Sequence, residues 1–297
     1  MRRIVIALAV FTSTALACDT PPAVDPDASA PAAAEEPGAE PAQAQAEPQG
    51  QTPAEGAVDQ ANLPPAEQVL EKSVVAVGGR DKIDSIKSYY KEERTEIPAQ
   101  NMTATSKFWW KQGNMYSEIE MPGVGLMKVW HNDEGTWSQD PLNGTRKLEG
   151  DEAEQAARTA SPVMTAVWKE YFDSAETTGR RMVDDRPVID VKLTDKKGEE
   201  MVLSFDEAEG LLVEQQFKQK TAMGDMPVTV KIEEWADYDG YKDAKVTVAD
   251  MKVMKVTTKV TKYELNPEVD DSKFLAPAQA GGKSGKKKSD AKKTKKK

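Results

Sequence analysis

Few side chains in this chain can do covalent or metal chemistry. Among its 297 residues there is one cysteine, Cys18, and one histidine, His131. That excludes a Cys/His metal cluster and, with Cys18 at the terminus, a Cys–His pair inside the fold. One cysteine also permits no internal disulfide, so packing alone must hold the fold. His131 follows Trp130 in a strand-like stretch and reads as a packing or surface residue. The carboxylate pairs Asp184-Asp185, Glu233-Glu234 and Asp270-Asp271 are adjacent in sequence, and neighbours on a strand face opposite sides, so none forms an acid/base pair by itself. Gly123 and Gly125 sit in Met121-Pro122-Gly123-Val124-Gly125, a turn composition rather than a phosphate cradle. These features predict a protein that is not an enzyme and takes no metal or other cofactor.

Cys18 therefore carries the clearest chemical signal. Arg2 and Arg3 precede a short apolar run, Ile4 to Phe11, which leads to Thr14-Ala15-Leu16-Ala17-Cys18. Charge, apolar run and small residues follow the order of a secretory signal, and the run is shorter than the roughly 20 residues that span a bilayer. A cysteine directly after such a site resembles a bacterial lipobox. The resemblance implies that residues 1–17 are removed and that the Cys18 thiol is lipid-modified, a membrane anchor; the alternative is a plain secretory signal with an unpaired thiol.

The segment after Cys18 cannot fold on its own. Residues 19–64 hold nine prolines and nine acidic side chains without a single Lys or Arg, too little apolar surface to offset the entropy of ordering. We read residues 18–64 as the lipidated cysteine and a disordered, self-repelling linker, with a random-coil reach of about 40 Å. The opposite end, residues 278–297, reads as a disordered tail. From Gly281 on it holds nine lysines and one aspartate in a chain of net charge −10. Lys286, Lys287, Lys288, Lys292, Lys293, Lys295, Lys296 and Lys297 form its candidate polyanion-binding group, suited to anionic lipid or lipopolysaccharide. A solvated tail and docking on the acidic linker are the alternatives. No aromatic residue interrupts these lysines, so nucleic-acid recognition by stacking is not supported.

The elements that position any site lie in residues 65–277, one domain's worth of chain. Pro64-Pro65 opens a helix carrying Val69, Leu70, Ser73, Val74 and Val77 on one face, stopped by Gly78-Gly79. A short helix over Arg80 to Ile86 follows. Period-two patterns then predict strands over Tyr89–Ile97, Met102–Gln112 and Asn114–Met121. A hairpin of Leu126–Asn132 and Gly135–Gln139 turns at Asp133-Glu134 and sets Trp130 facing Trp137. Glu152–Arg158 reads as helix. So does the stretch capped by Ser161 and Pro162, which puts Met164, Val167, Trp168, Tyr171 and Phe172 on one face. Strands over Val188–Leu193, Met201–Phe205, Leu211–Lys218 and Pro227–Tyr238 come next. Lys245–Leu265 is too long for one flat strand, and its apolar phase slips near Met251 and Val253-Met254, which predicts a turn or bulge. Trp109 and Trp110 must face opposite sides of their strand. The many methionines are suited either to an ordinary core or to an adaptable binding surface.

Four local patterns resemble those of outer-membrane lipoprotein-sorting-like (LolA/LolB-like) envelope proteins. They are Val77-Gly78-Gly79-Arg80-Asp81-Lys82-Ile83, Ser204 to Leu212 with its acidic turn and Gly210, Ala236-Asp237-Tyr238-Asp239-Gly240-Tyr241, and Asn266 to Pro277. Together they span nearly all of residues 69–277. The resemblance implies an α+β fold. A strongly curved antiparallel sheet, an incomplete β-barrel of about 10–12 strands, would have helices covering its open side and an apolar cavity that holds a lipid or acyl chain. The candidate lining is then Trp110, Met115, Ile119, Met164, Val167, Trp168, Leu203, Phe205, Val230 and Ile232. The expected setting is the cell envelope, lipid-anchored through Cys18, at the outer membrane and facing the periplasm, although Asp19 is a residue that in some bacteria retains lipoproteins at the inner membrane. The alternative from another class is an interaction module with a solid core, whose charged tails recruit polyanions or protein partners.

Overall fold

The computed structural model describes residues 62–159, 163–221, 224–252 and 254–277. The signal-like start, Cys18, the linker up to residue 61, Ser161, Pro162, Val253 and the lysine-rich tail lie outside the described residues. Helices α1 (Ala66–Ala76) and α2 (Gly79–Ser85) lead into strands β1 (Ser88–Ile97), β2 (Met102–Lys111), β3 (Asn114–Met121), β4 (Gly125–Asn132), β5 (Gly135–Asp140) and β6 (Gly144–Lys147). Helix α3 (Gly150–Thr159) and two 3-10 turns, Met164–Ala166 and Trp168–Glu170, precede β7 (Ser174–Val183), β8 (Arg186–Thr194), β9 (Glu200–Asp206), β10 (Leu212–Thr221), β11 (Gly224–Tyr238), β12 (Tyr241–Asp250) and β13 (Lys255–Leu265). All thirteen strands form one sheet in the order β6-β5-β4-β3-β2-β1-β13-β12-β11-β10-β9-β8-β7.

Every pairing is antiparallel, so the sheet is two meanders fused where β1 pairs with β13. We call this junction the seam. The sheet curves but does not close, and β6 and β7 are its free edges. Side-chain alternation gives it two faces. The inner face carries three apolar clusters. One, rich in methionine, gathers Ile119, Met121, Met127, Val230, Met251 and Met254. A second joins Tyr89, Phe108, Trp110 and Met115 to Val77 and Leu211. The third packs Ala66, Val69 and Leu70 of α1 on Ile189, Leu203 and Phe205 of β8 and β9.

The outer face of β1–β5 carries an aromatic ladder. Tyr90, Trp109, Tyr116, Trp130 and Trp137 stand opposite one another on five successive strands. The chain after β13 lies over it, and Val269, Phe274 and Ala276 pack on Tyr116, Trp130 and Trp137. Lys273 Nζ sits 3.7 Å from the Trp109 ring centre, a cation–π contact. The consecutive tryptophans thus divide as the strand period requires: Trp110 faces inward, and Trp109 is roofed by this C-terminal strap.

Three of the four family-like patterns meet at one end of the sheet, where they serve as architecture. Lys242 N–H donates to Val77 carbonyl at 2.9 Å. A Cβ on Gly78 (φ +130°) would lie 2.5 Å from the Gly240 carbonyl oxygen, so only glycine permits this approach. Asn266 Oδ1 accepts from Lys87 N–H at 2.6 Å, and Asn266 N–H donates to Ser88 carbonyl at 2.8 Å, tying the end of β13 to the start of β1. The fourth pattern is a self-capped turn in which Asp206 Oδ1 accepts from Ala208 and Glu209 N–H at 2.9 and 2.7 Å.

The sequence expectations differ from the structure at two places. The strands number thirteen rather than 10–12, because the edge strands β6 and β7 carry no apolar alternation. β7 reads Ser-Ala-Glu-Thr-Thr-Gly-Arg-Arg-Met-Val and packs only thinly. The expected helix through Phe172 is two 3-10 turns. Val163 (φ −136°, ψ 89°) and Val167 (φ −124°, ψ 23°) both leave the helical region, and β-branched residues have lowered helix propensity. The segment also divides its side chains, with Val163 and Ala166 going to the second cluster and Met164, Trp168 and Phe172 to the third. The long stretch from Lys245 breaks where its apolar phase slips, into β12 and β13, at a turn closed by Met251 N–H to Met254 carbonyl, 3.0 Å.

Candidate functional site

The expected lining residues fall into three places. Trp110 and Met115 belong to the second cluster, Ile119 and Val230 to the methionine-rich one, and Leu203 and Phe205 to the third. Met115, Ile119, Leu203 and Phe205 are sealed, at 0–2% exposure, so they form walls rather than open surface. Met164 and Trp168 are half-buried against the third cluster. Val167 lines a pocket of about 380 Å³ with Leu70, Arg80 and Trp168. Ile232 keeps part of its surface open. On the other side of α1 a groove of about 530 Å³ is lined by Pro64, Val69, Val75, Ile189 and Phe205.

A polar belt lies on the inner face along the seam. On β1 the inward phase runs Tyr89, Lys91, Glu93, Thr95, Ile97, so two charges sit between apolar ends that belong to different clusters. Lys91 Nζ pairs with Glu93 Oε1 at 2.7 Å, with side chains 22% and 7% exposed. Ser106 on β2 donates to Glu93 Oε2 at 3.0 Å, and Thr95 meets Thr258 of β13 at 3.0 Å. Asp243 on β12 completes the belt. It accepts the Tyr263 hydroxyl proton and the Ala244 N–H at 2.8 Å. Tyr263 stacks on Tyr238 at 4.1 Å and on Tyr89 at 5.8 Å between ring centres.

The charges perturb one another. Desolvation, the largest influence on Lys91, pulls its pKa down, but Glu93 and Asp243 outweigh it and hold the ammonium above its ordinary value. Burial raises the Asp243 carboxyl above its ordinary value; Lys91 opposes and Glu93 adds to the rise. Burial likewise raises the Tyr89, Tyr241 and Tyr263 phenols, so all three are neutral donors at neutral pH.

The belt is not sealed. Lys91, Asp243, Thr247, Ile232, Trp235 and Tyr263 retain accessible surface, while Val230, Ala249 and Tyr241 beside them are buried. Further along the inner face, Trp110 Nε1, Ser117 Oγ and Ser138 Oγ are buried without a hydrogen-bond partner, a costly state unless something else satisfies them. The inner face thus offers apolar surface at both ends and hydrogen-bonding groups between, the distribution of an amphiphile. The sequence reading missed this belt. The signal was present in β1, where Lys91 and Glu93 share the parity of Tyr89 and Ile97.

This open, single-sheet half-barrel is an architecture seen in solved structures. It is similar to a DUF1329 family protein from Desulfovibrio piger, with TM-score 0.52 and 14% identity over 72% of this chain and 99% of the other. It is equally similar to a LolA superfamily protein from Nitrosomonas europaea, with TM-score 0.51 and 14% identity over 72% of this chain and 99% of that one. The chain therefore has the LolA-like fold that its local patterns predict. No family model and no curated protein matches the sequence.

Proposed function

We propose that this is a lipid-anchored bacterial envelope protein whose half-barrel binds a lipid or lipoprotein acyl chain non-covalently and hands it on. The observation that carries this reading is the inner face itself: two apolar clusters separated by a partly open polar belt. Burial of acyl chain on the apolar surface supplies about 0.8 kcal/mol per CH2. The methionines concentrated in one cluster suit chains of varied shape. In this reading α1, α2 and residues 163–172, which run between the edges β6 and β7, cover the open side. Cys18 anchors the chain, residues 19–64 tether it, and the lysine tail holds anionic lipid or lipopolysaccharide. The setting is the envelope, at the outer membrane facing the periplasm. The action is binding and transfer rather than catalysis.

The sealed state of Met115, Ile119, Leu203 and Phe205 favours a second reading, an interaction module with a packed core and functional tails. Lipid extraction and mass spectrometry of the full chain, purified without detergent from a bacterial envelope fraction, separates the two. A stoichiometric co-purifying lipid is the expected result. No lipid, together with no uptake of a fluorescent fatty acid, would leave the packed module.

A further inference from the structure

The polar belt has an unbalanced charge. Its ionisable groups are Lys91 and Glu93 from β1 and Asp243 from β12; the other polar groups facing Asp243 are the neutral hydroxyls of Tyr89, Tyr238, Tyr241 and Tyr263. Lys91 and Glu93 neutralise each other at 2.7 Å. Among the described residues no salt bridge reaches Asp243; its hydrogen bonds come from a phenol and a backbone N–H, and the one cation acting on it, Lys91, is already paired with Glu93. One negative charge is left over on a face that is otherwise apolar and aromatic, and such a charge is costly until a cation meets it. The tyrosine rings stacked beside it present π faces, which attract cations and not anions.

We propose that the seam is a recognition site for the ammonium group of an amphiphile, with Asp243 as its counter-ion and Tyr263 and Tyr238 as its aromatic wall, while the apolar clusters on either side take the hydrocarbon. The proposal rests on the lipid-binding reading above and narrows it to ligands whose cationic group lies close to their chains. Lys91 holds Glu93, so that Asp243 is the carboxylate offered.

The test is a titration of the purified full chain, in detergent-free buffer at neutral pH, with dodecylammonium, dodecanol and dodecanoate, followed by tryptophan fluorescence. The wild-type chain binds dodecylammonium about tenfold more tightly than dodecanol, with dodecanoate weakest. Asp243→Asn, which keeps the shape and the Tyr263 contact, reduces that preference to about twofold or less and leaves dodecanol unchanged. Lys91→Met, which leaves Glu93 unpaired beside Asp243, increases the preference. Adsorption of the cation to the acidic linker would not respond to either substitution. Equal binding of all three probes, or a preference that survives Asp243→Asn, overturns the ammonium site and leaves acyl binding standing. Failure of every probe to bind overturns both.

Discussion

Phe274→Ala tests whether the C-terminal strap is part of the folded core. Phe274 is 3% exposed and packs on the outer-face ladder with Val269 and Ala276. Truncating a buried phenylalanine in a rigid site costs about 3–5 kcal/mol. The strap has a second option, which is to lift off. Its other ties include Asn132 Nδ2 to the Phe274 carbonyl at 3.0 Å, Lys111 Nζ to the Val269 carbonyl at 2.9 Å and to Asp271 at 2.6 Å, and Lys273 over Trp109. Each contributes about 0.5–1.5 kcal/mol, the exposed ion pair least. Lift-off forfeits these ties but regains the chain entropy of the strap, so the expected loss lies near the lower end, at about 3 kcal/mol, or roughly 6–12 °C in Tm for a domain of this size. Urea unfolding measures the energy. Tryptophan emission and acrylamide quenching report the mechanism, because lift-off wets Trp109, Trp130 and Trp137 and shifts emission to the red. A loss below about 1 kcal/mol with unchanged emission would show that the ladder does not need its roof, and the packing argument would fail.

Three further outcomes are expected. Gly78→Ala forces a Cβ to 2.5 Å from the Gly240 carbonyl at φ +130°, and should destabilise by about 1–3 kcal/mol or more, read in a thermal melt. Asp195, 6% exposed, accepts from Lys197 and Glu199 N–H at 2.9 and 3.0 Å and pairs with Arg158 at 2.6 Å. Burial pushes its pKa up, but those partners win and hold it below the ordinary value. Its contribution is therefore complete above about pH 4 and lost as pH falls through the lower native value. Asp195→Asn should cost about 1–2 kcal/mol at neutral pH, and the gap to wild type should close on acidification in melts from pH 7 to pH 3. Cys18→Ser should move the chain from the membrane fraction to the soluble one; retention on membranes would refute the anchor.

Most strands were legible because one face is buried and the other is not. β3 begins and ends where the period predicts, at Asn114 and Met121. Trp130 and Trp137 do stand in register across their hairpin. β7 was illegible because an edge strand buries little, so its residues answer to ion pairs such as Arg181 with Asp190 and Glu214 at 2.8 and 2.7 Å. The stretch from Val163 to Phe172 has helical spacing by accident of serving two clusters at once. The belt escaped notice for a different reason: Asp243 meets Lys91 only because β12 and β1 both flank β13, a neighbour relation that sequence alone does not display.

The seam also sets the order in which this molecule can fold. Each meander closes by short turns between consecutive strands, which form early and cheaply. Pairing β1 with β13 instead closes a loop running from Ile97 to Lys255, at an entropic cost of about 4–5 kcal/mol before any contact across it compensates. Two half-sheets must therefore form first and zip together last, which makes refolding slow for a chain of otherwise local contacts. Until that zipping occurs Lys91 and Asp243 sit on separate half-sheets. The inner face acquires its charge pattern only in the final step, so a partly folded chain lacks the belt on which the proposed ligand site depends.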